Sequence, residues 1–237
     1  MTTAQPPLAA EISPVREVTL AGSADLATWA ALLASEGLKP AAIADKARLI
    51  LTASDSVFKG VPFREFALSV EVLPPREDRG PTGHFLAHAF NSSRFFAFIE
   101  RAVFHTPYYY AQVSVDPRLP ASVTISRDGA VCFRAEMGAA AERVPRQDAP
   151  DRMHGPIYLP RGAMRAGGKL FYATLEGQTQ TYAFDPEHDV VSLTPSASDA
   201  VLIALRDSGF QGEEWIIREH ARHAKSRTIR WSPASRG

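Results

Sequence analysis

Alternation of apolar and polar residues with a period of two, repeated in separate stretches, constrains this chain more than any other feature. In Glu65 to Leu73, Phe66, Leu68, Val70 and Val72 alternate with Glu65, Ala67, Ser69 and Glu71. Successive side chains of a strand point to opposite faces, so the pattern predicts a β-strand with one apolar face. From Tyr108 to Val115 the alternation returns, with Tyr109, Ala111, Val113 and Val115 opposite Tyr108, Tyr110, Gln112 and Ser114. Asp128-Gly129, set between Val123/Ile125 and Val131/Phe133, predicts a hairpin, because a type I′ turn needs positive φ at both central positions. Lys169 to Glu176 and Gln178 to Phe184 read as two further strands pairing about Gly177.

Helical signals are fewer. Ser23 can cap a helix that places Leu26, Trp29, Ala30 and Leu33 on one face and closes at Gly37. A second helix is predicted from Ser92 to His105, capped by Asn91 or Ser92, with Phe95, Phe96, Ile99 and Val103 as its buried stripe. Pro107 ends it. A third spans Asp199 to Ser208. Residues 1–14 are small, polar or proline and predict a flexible N-terminal segment, leaving 15–237 as a single domain. Pro74 to Gly83 reads as a charged loop, and residues 138–168 as a long excursion rich in Ala, Pro, Gly and charge. Many strands with a few peripheral helices predict an antiparallel α+β domain rather than a doubly wound parallel sheet. No P-loop, dinucleotide-binding glycine pattern or nucleophile elbow is present.

Composition narrows the function classes. Lys+Arg and Asp+Glu are both 26, so no net charge favours nucleic acid or an anionic membrane. Cys132 is the only cysteine, which excludes an internal disulfide or a cysteine metal cluster. No apolar run reaches the roughly 20 residues of a membrane helix. The first residues show no signal-peptide pattern, so a cytoplasmic setting is expected.

Three segments resemble the acetoacetate decarboxylase superfamily. Phe63-Arg64-Glu65, running on to Val72, is similar to the family's aromatic-x-Glu strand. Gly83 to Ala111 aligns without a gap, bringing Arg101 onto the family's Gly-Arg-Glu arginine and Pro107 onto the proline before its lysine. Arg16-Glu17 through Leu38 resembles the N-terminal Arg-Glu strand and following helix. The Thr-Pro-Tyr-Tyr-Tyr-Ala run is similar to a bacterial branch that lacks the Schiff-base lysine. The resemblance implies a conical, barrel-like antiparallel β-sheet with flanking helices and an internal pocket.

The resemblance also implies a lost reaction. In the family a lysine forms an imine with a ketone and absorbs the electrons released as carboxylate leaves. Here Tyr108 stands at the aligned position, followed by Tyr109, and a phenol forms no iminium. The Arg-Glu pair reads Arg101-Ala102, and one pocket glutamate is replaced by Ile50. Arg16 and Glu65 keep family pocket positions.

Each candidate has a plain alternative. Glu65 can serve as a pocket acid or base, or face solvent on its strand. Tyr108 can support a developing oxyanion, and Tyr110 can bind substrate, or both can simply pack. Arg16 can hold a substrate carboxylate, or be a surface arginine. Arg101 and His105 lie beside the implied pocket as substrate-binding candidates. His88, His105, His220 and His223 show no zinc pattern, so no metal is expected, and no cofactor either. Of the lysines Lys39, Lys46, Lys59, Lys169 and Lys225, all surface residues by default, Lys169 is the best placed to act as a relocated Schiff-base lysine. Arg218, Arg222, Lys225, Arg227 and Arg230 read as a solvated or helix-packing segment rather than an RNA-binding tail.

Three functions follow: an enzyme acting without an imine on a small keto or carboxylate compound, a non-catalytic small-molecule binder, or a structural protein. The expected partner is an anionic or carbonyl-containing small molecule, with neither nucleic acid nor membrane, and homo-oligomerisation is compatible with each.

Overall fold

The computed structural model describes residues 7–73, 82–139, 143–162 and 168–231, and strands dominate them. The first part of the chain forms β1 (Leu8–Asp25), α1 (Leu26–Ala34), β2 (Lys39–Pro40), β3 (Ala42–Ile43), β4 (Lys46–Phe58), β5 (Val61–Leu73) and β6 (Gly83–Asn91). Helix α2 (Arg94–Ile99) runs into a π-helical turn (Glu100–Phe104), followed by β7 (Tyr108–Tyr110), β8 (Gln112–Asp116), β9 (Ser122–Arg127) and β10 (Ala130–Glu136). The rest comprises β11 (Gln147–Leu159), β12 (Gly168–Ala183), β13 (Val190–Leu193), α3 (Ala200–Asp207), β14 (Gln211–Ser226) and β15 (Ile229–Trp231). No helix among the described residues is long and apolar enough to cross a membrane.

Strand pairing closes on itself. The order β5-β4-β1-β14-β12-β11-β6 returns to β5 through the antiparallel β5–β6 ladder. The sheet departs from the purely antiparallel expectation on both sides of β6: β11 runs parallel to it over Ile157↔His84 and Tyr158↔Phe85, and β7 joins it in parallel over Ala89↔Tyr108 to Asn91↔Tyr110. A second, four-stranded sheet, β13-β10-β9-β8, packs against the outside of the ring.

The alternation of β5 places the ring's two faces. Phe66, Leu68, Val70 and Val72 are all buried, and the Phe66 ring lies 5.1 Å from Phe133 of the second sheet. The principal core therefore sits between ring and outer sheet, and the more polar face of β5 looks inward. The Asp128-Gly129 turn joins β9 to β10 with φ of 50° and 83°, as the hairpin reading requires.

Helix α1 begins as expected, but Asp25 rather than Ser23 caps it, accepting from the Thr28 amide at 2.7 Å. Trp29 and Leu33 are fully buried. Strand β1 starts at Leu8, so much of the expected flexible lead-in belongs to the sheet; residues 1–6, like 74–81 of the expected charged loop, lie outside the described residues.

Several expectations change. Ser93 caps α2, and Phe95 and Val103 of its predicted buried stripe are exposed by 66% and 58%. This segment lies over the ring's open end, where only part of its surface meets protein. The 108–115 alternation is divided at Ala111 between β7 of the ring sheet and β8 of the outer sheet. Within 138–168, residues 147–159 form strand β11; Pro150 and Pro156 are accommodated because only Ile157 and Tyr158 pair with a strand on the other side. The two strands expected about Gly177 are one continuous β12, and the basic C-terminal segment enters the ring as β14. Gly177 fits there because a Cβ would come within 3.1 Å of Ala221 Cα.

Candidate functional site

The ring encloses a cavity of about 500 Å³, within the usual range for small-molecule sites. Strands β4 and β5 contribute their inward residues, among them Ile50 and Glu65. Helix α2 and the π-helical turn form one wall with Phe96, Ile99, Glu100 and Phe104, and β14 contributes His223 and Lys225. Most of the lining is apolar, and its ionisable groups include Glu65, Glu100, Tyr108, His223 and Lys225, with His84 further along the β5–β6 ladder.

Glu65 is fixed by sheet register. It pairs with Asn91 across β5 and β6, while Ala89 of β6 pairs with Tyr108 of β7. Asn91 Nδ2 donates to Glu65 Oε1 at 2.8 Å, and the Tyr108 hydroxyl donates to Oε2 at 3.4 Å, a long contact that leaves this donor free to turn toward a ligand. Burial pushes the Glu65 carboxyl up to about 7, helped by nearby Glu100 and opposed by Lys225, the Asn91 bond and His223. Water reaches part of Glu65 through the cavity, although protein surrounds it on the scale of a ligand. Burial likewise raises the Tyr108 phenol well above its usual range, and the Glu65 and Glu100 carboxylates add to the effect. One group can therefore gain or lose a proton near neutrality, while its neighbour stays a donor.

A cation completes the cluster. Lys225 is ion-paired with Glu100 and lies 4.3 Å from the Phe104 ring centroid, and Thr106 Oγ1 donates to the other Glu100 oxygen at 2.9 Å. Behind it, Glu17 is fully buried and bonded to Arg218 and to His223 Nε2, the latter at 2.6 Å. Burial works against ionisation of Glu17, but His223 and Arg218 outweigh it and hold the carboxyl at about 2. Arg218 also donates to Thr179 at 2.8 Å and to Asp151 at 3.2 Å.

The structure thus brings together Glu65 and Tyr108 and separates the other candidates. Arg16 is half exposed and paired with Asp55; because neighbours on a strand face opposite ways, Glu17 takes the inward position instead. Arg101 and His105 line a different cavity, as does Lys169. Tyr110 is partly exposed beneath Arg94, whose guanidinium carbon lies 4.1 Å from its ring centroid. Ile50, where the resemblance expects a glutamate, does line the main cavity. No group of three metal-ligating side chains occurs among the described residues.

Sequence reasoning missed His223, Lys225, Glu100 and Arg218. The available signal was Trp215 and Ile217 alternating into the same run as the basic residues, which marks a strand rather than a tail.

No protein-family model and no curated protein matches this chain. Solved structures do. An acetoacetate decarboxylase aligns with a TM-score of 0.64 at 12% identity, over 94% of this chain and 88% of that one. The acetoacetate decarboxylase of Legionella pneumophila aligns at 0.62 and 11% identity, over 97% and 90%. The enduracididine biosynthesis enzyme MppR with HEPES bound gives 0.63 at 11% identity, over 98% and 90%. Another MppR structure, holding the condensation product of pyruvate and imidazole 4-carboxaldehyde, gives 0.59 at 10% identity, over 98% and 92%. At these identities the likeness is one of fold.

Proposed function

We propose that this chain, whose fold is that of the acetoacetate decarboxylases, binds a small keto or carboxylate compound in its ring cavity and moves a proton on it without forming an imine. The observation that carries the reading is Glu65, held near 7 beside a Tyr108 phenol that stays protonated. Lys225, ion-paired with Glu100, supplies a cation for a ligand carboxylate rather than a free amine for attack on carbonyl carbon.

For a 2-oxo acid the step is simple. The Glu65 carboxylate takes a proton from the carbon next to the carbonyl; the C–H electron pair forms the enolate, and its negative charge gathers on the carbonyl oxygen. Tyr108 hydrogen-bonds that oxygen, as neutral donors do at oxyanion sites. Protonated Glu65 then returns a proton to carbon, so the net result is hydrogen exchange or a shift of the double bond. That MppR holds a pyruvate-derived product in this fold supports the choice of a 2-oxo acid as probe.

Pyruvate in deuterated buffer tests the proposal. Protein-dependent loss of the methyl proton signal is expected, falling at least about tenfold in Glu65→Gln and in Tyr108→Phe. Borohydride should produce no lysine adduct; an adduct at Lys225 would replace this mechanism with an imine route. Saturable binding without exchange would instead identify a non-catalytic binder, and absence of binding by pyruvate and longer 2-oxo acids would remove the support for both.

A further inference from the structure

A second cavity lies on the other side of the π-helical turn and collects positive charge. Its lining includes Arg101 from that turn, His105 just after it, Arg161 beyond the end of β11, and Lys169 of β12. Among the described residues, no carboxylate lines it. Most arginines of the described surface sit against acidic partners, such as Arg16 with Asp55, Arg118 with Asp116 and Arg222 with Glu11. Among the described residues, Arg101, Arg161 and Lys169 have no such partner; Arg101 and Arg161 instead lie near the rings of Tyr109 and Trp231, at 5.4 and 5.5 Å.

The arrangement is built rather than incidental. Glu36 accepts a bond from the Arg161 amide at 2.7 Å, fixing the segment after β11 against the end of α1. Gly37 leaves room for the guanidinium: a Cβ there would meet Arg161 Nη2 at 2.2 Å. Arg161 Nε is buried with no hydrogen-bond partner, an N–H donor lacking an acceptor. Strand register also sets Lys169 opposite Arg230, and like charges facing each other across a ladder are unfavourable unless an anion lies nearby.

We propose that this second cavity binds the phosphate group of a small anionic molecule. Two guanidiniums and an ammonium exceed what one carboxylate can neutralise, whereas a phosphate monoester carries about 1.5 to 2 negative charges and three acceptor oxygens. Arginine forks match those oxygens in pairs, and lysine adds a point charge. The cavity volume, about 530 Å³, leaves space for an organic group beyond the phosphate. Thr106 lines both cavities, so a ligand here would rest against the residue that bonds Glu100 in the ring site. This assignment does not depend on the reading given for the ring cavity.

Calorimetric titration with inorganic phosphate and with pyrophosphate, at low ionic strength, tests it. Phosphate is expected to bind with a Kd of about 1 mM or tighter, and acetate at least about tenfold more weakly. Lys169→Gln and Arg101→Gln should each weaken phosphate at least about tenfold with an unchanged melting temperature. Arg161 packs too closely against Gly37 to serve as the deciding variant. Removal of an equal charge elsewhere, Lys59→Gln, should change binding by less than about twofold, and Glu65→Gln should leave it intact. Equal affinity for acetate and phosphate, indifference to both cavity variants, or no phosphate binding would each overturn the assignment. Loss of pyruvate exchange in Glu65→Gln with phosphate binding retained would show the two sites to be separate.

Discussion

Replacing Glu65 with glutamine should change how stability depends on pH. The carboxyl is raised from 4.5 to about 7, so between these values the folded chain binds more protons here than the unfolded chain does. Stability contributed by this group is therefore fully present below pH 4.5, declines as pH rises, and is gone above about 7. At about 1.4 kcal/mol per pH unit the displacement corresponds to about 3 kcal/mol, and partial access of water through the cavity brings the expected figure to about 2–3 kcal/mol. Glutamine keeps the size of the side chain and can still accept from Asn91, but it does not titrate. Urea unfolding of parent and Glu65→Gln at pH 5 and pH 8 would measure the difference. The variant should gain about 2 kcal/mol relative to the parent between these conditions, part of the loss having already occurred by pH 5, whatever its absolute stability. Parallel pH profiles would show that Glu65 ionises in the folded protein as it does in the unfolded chain, and the acid–base role would fall with them.

Three further perturbations probe the frame. Arg218→Met leaves the buried Glu17 carboxylate without its arginine and should destabilise by about 3–5 kcal/mol; the double variant Glu17→Gln/Arg218→Met should recover much of this in denaturant titrations, and a single-variant effect below about 1 kcal/mol would contradict the buried-pair reading. Because Glu17 is depressed to about 2, its contribution is present above pH 4.5 and should disappear as pH falls toward 2, which acid unfolding of the parent and Glu17→Gln would compare. At the β9–β10 turn, Gly129→Ala should destabilise by about 1 kcal/mol in thermal melts, purely from its φ of 83°, since a Cβ there meets nothing within 4 Å; an unchanged melting temperature would mean the turn relaxes.

Local pattern was legible where one face of an element was apolar. The alternation of Phe66 to Val72, the Asp128-Gly129 turn and the Trp29/Leu33 stripe each reported burial directly. Pairing was less legible, because Gly177 reads as a turn and only its closeness to Ala221 shows why it lies inside a continuous strand. At the site, Glu65 and Tyr108 could be nominated from one contiguous half of the chain. Lys225 and His223 reach the cavity from a strand more than a hundred residues later, and their charge concealed that strand's inward face. Arg16 failed as a candidate for the opposite reason: a one-residue step on a strand exchanges inside for outside, and Glu17 holds the inner place.

The segment made of α2 and the π-helical turn is a single thickness of chain, with Phe96, Ile99 and Phe104 against the ring cavity, Phe95 at the cavity's exposed rim, and Phe98 and Val103 facing outward. With a void beneath it and exposed side chains above, it can breathe while separating few packed atoms, in contrast to β4 and β5, which are paired on both sides. Amide hydrogen exchange should therefore find its shortest protection times between Phe98 and Phe104, and a ligand filling the ring should lengthen those times while leaving β4 and β5 as they were. Equal protection across both regions would mean that the cavity fills by some other route.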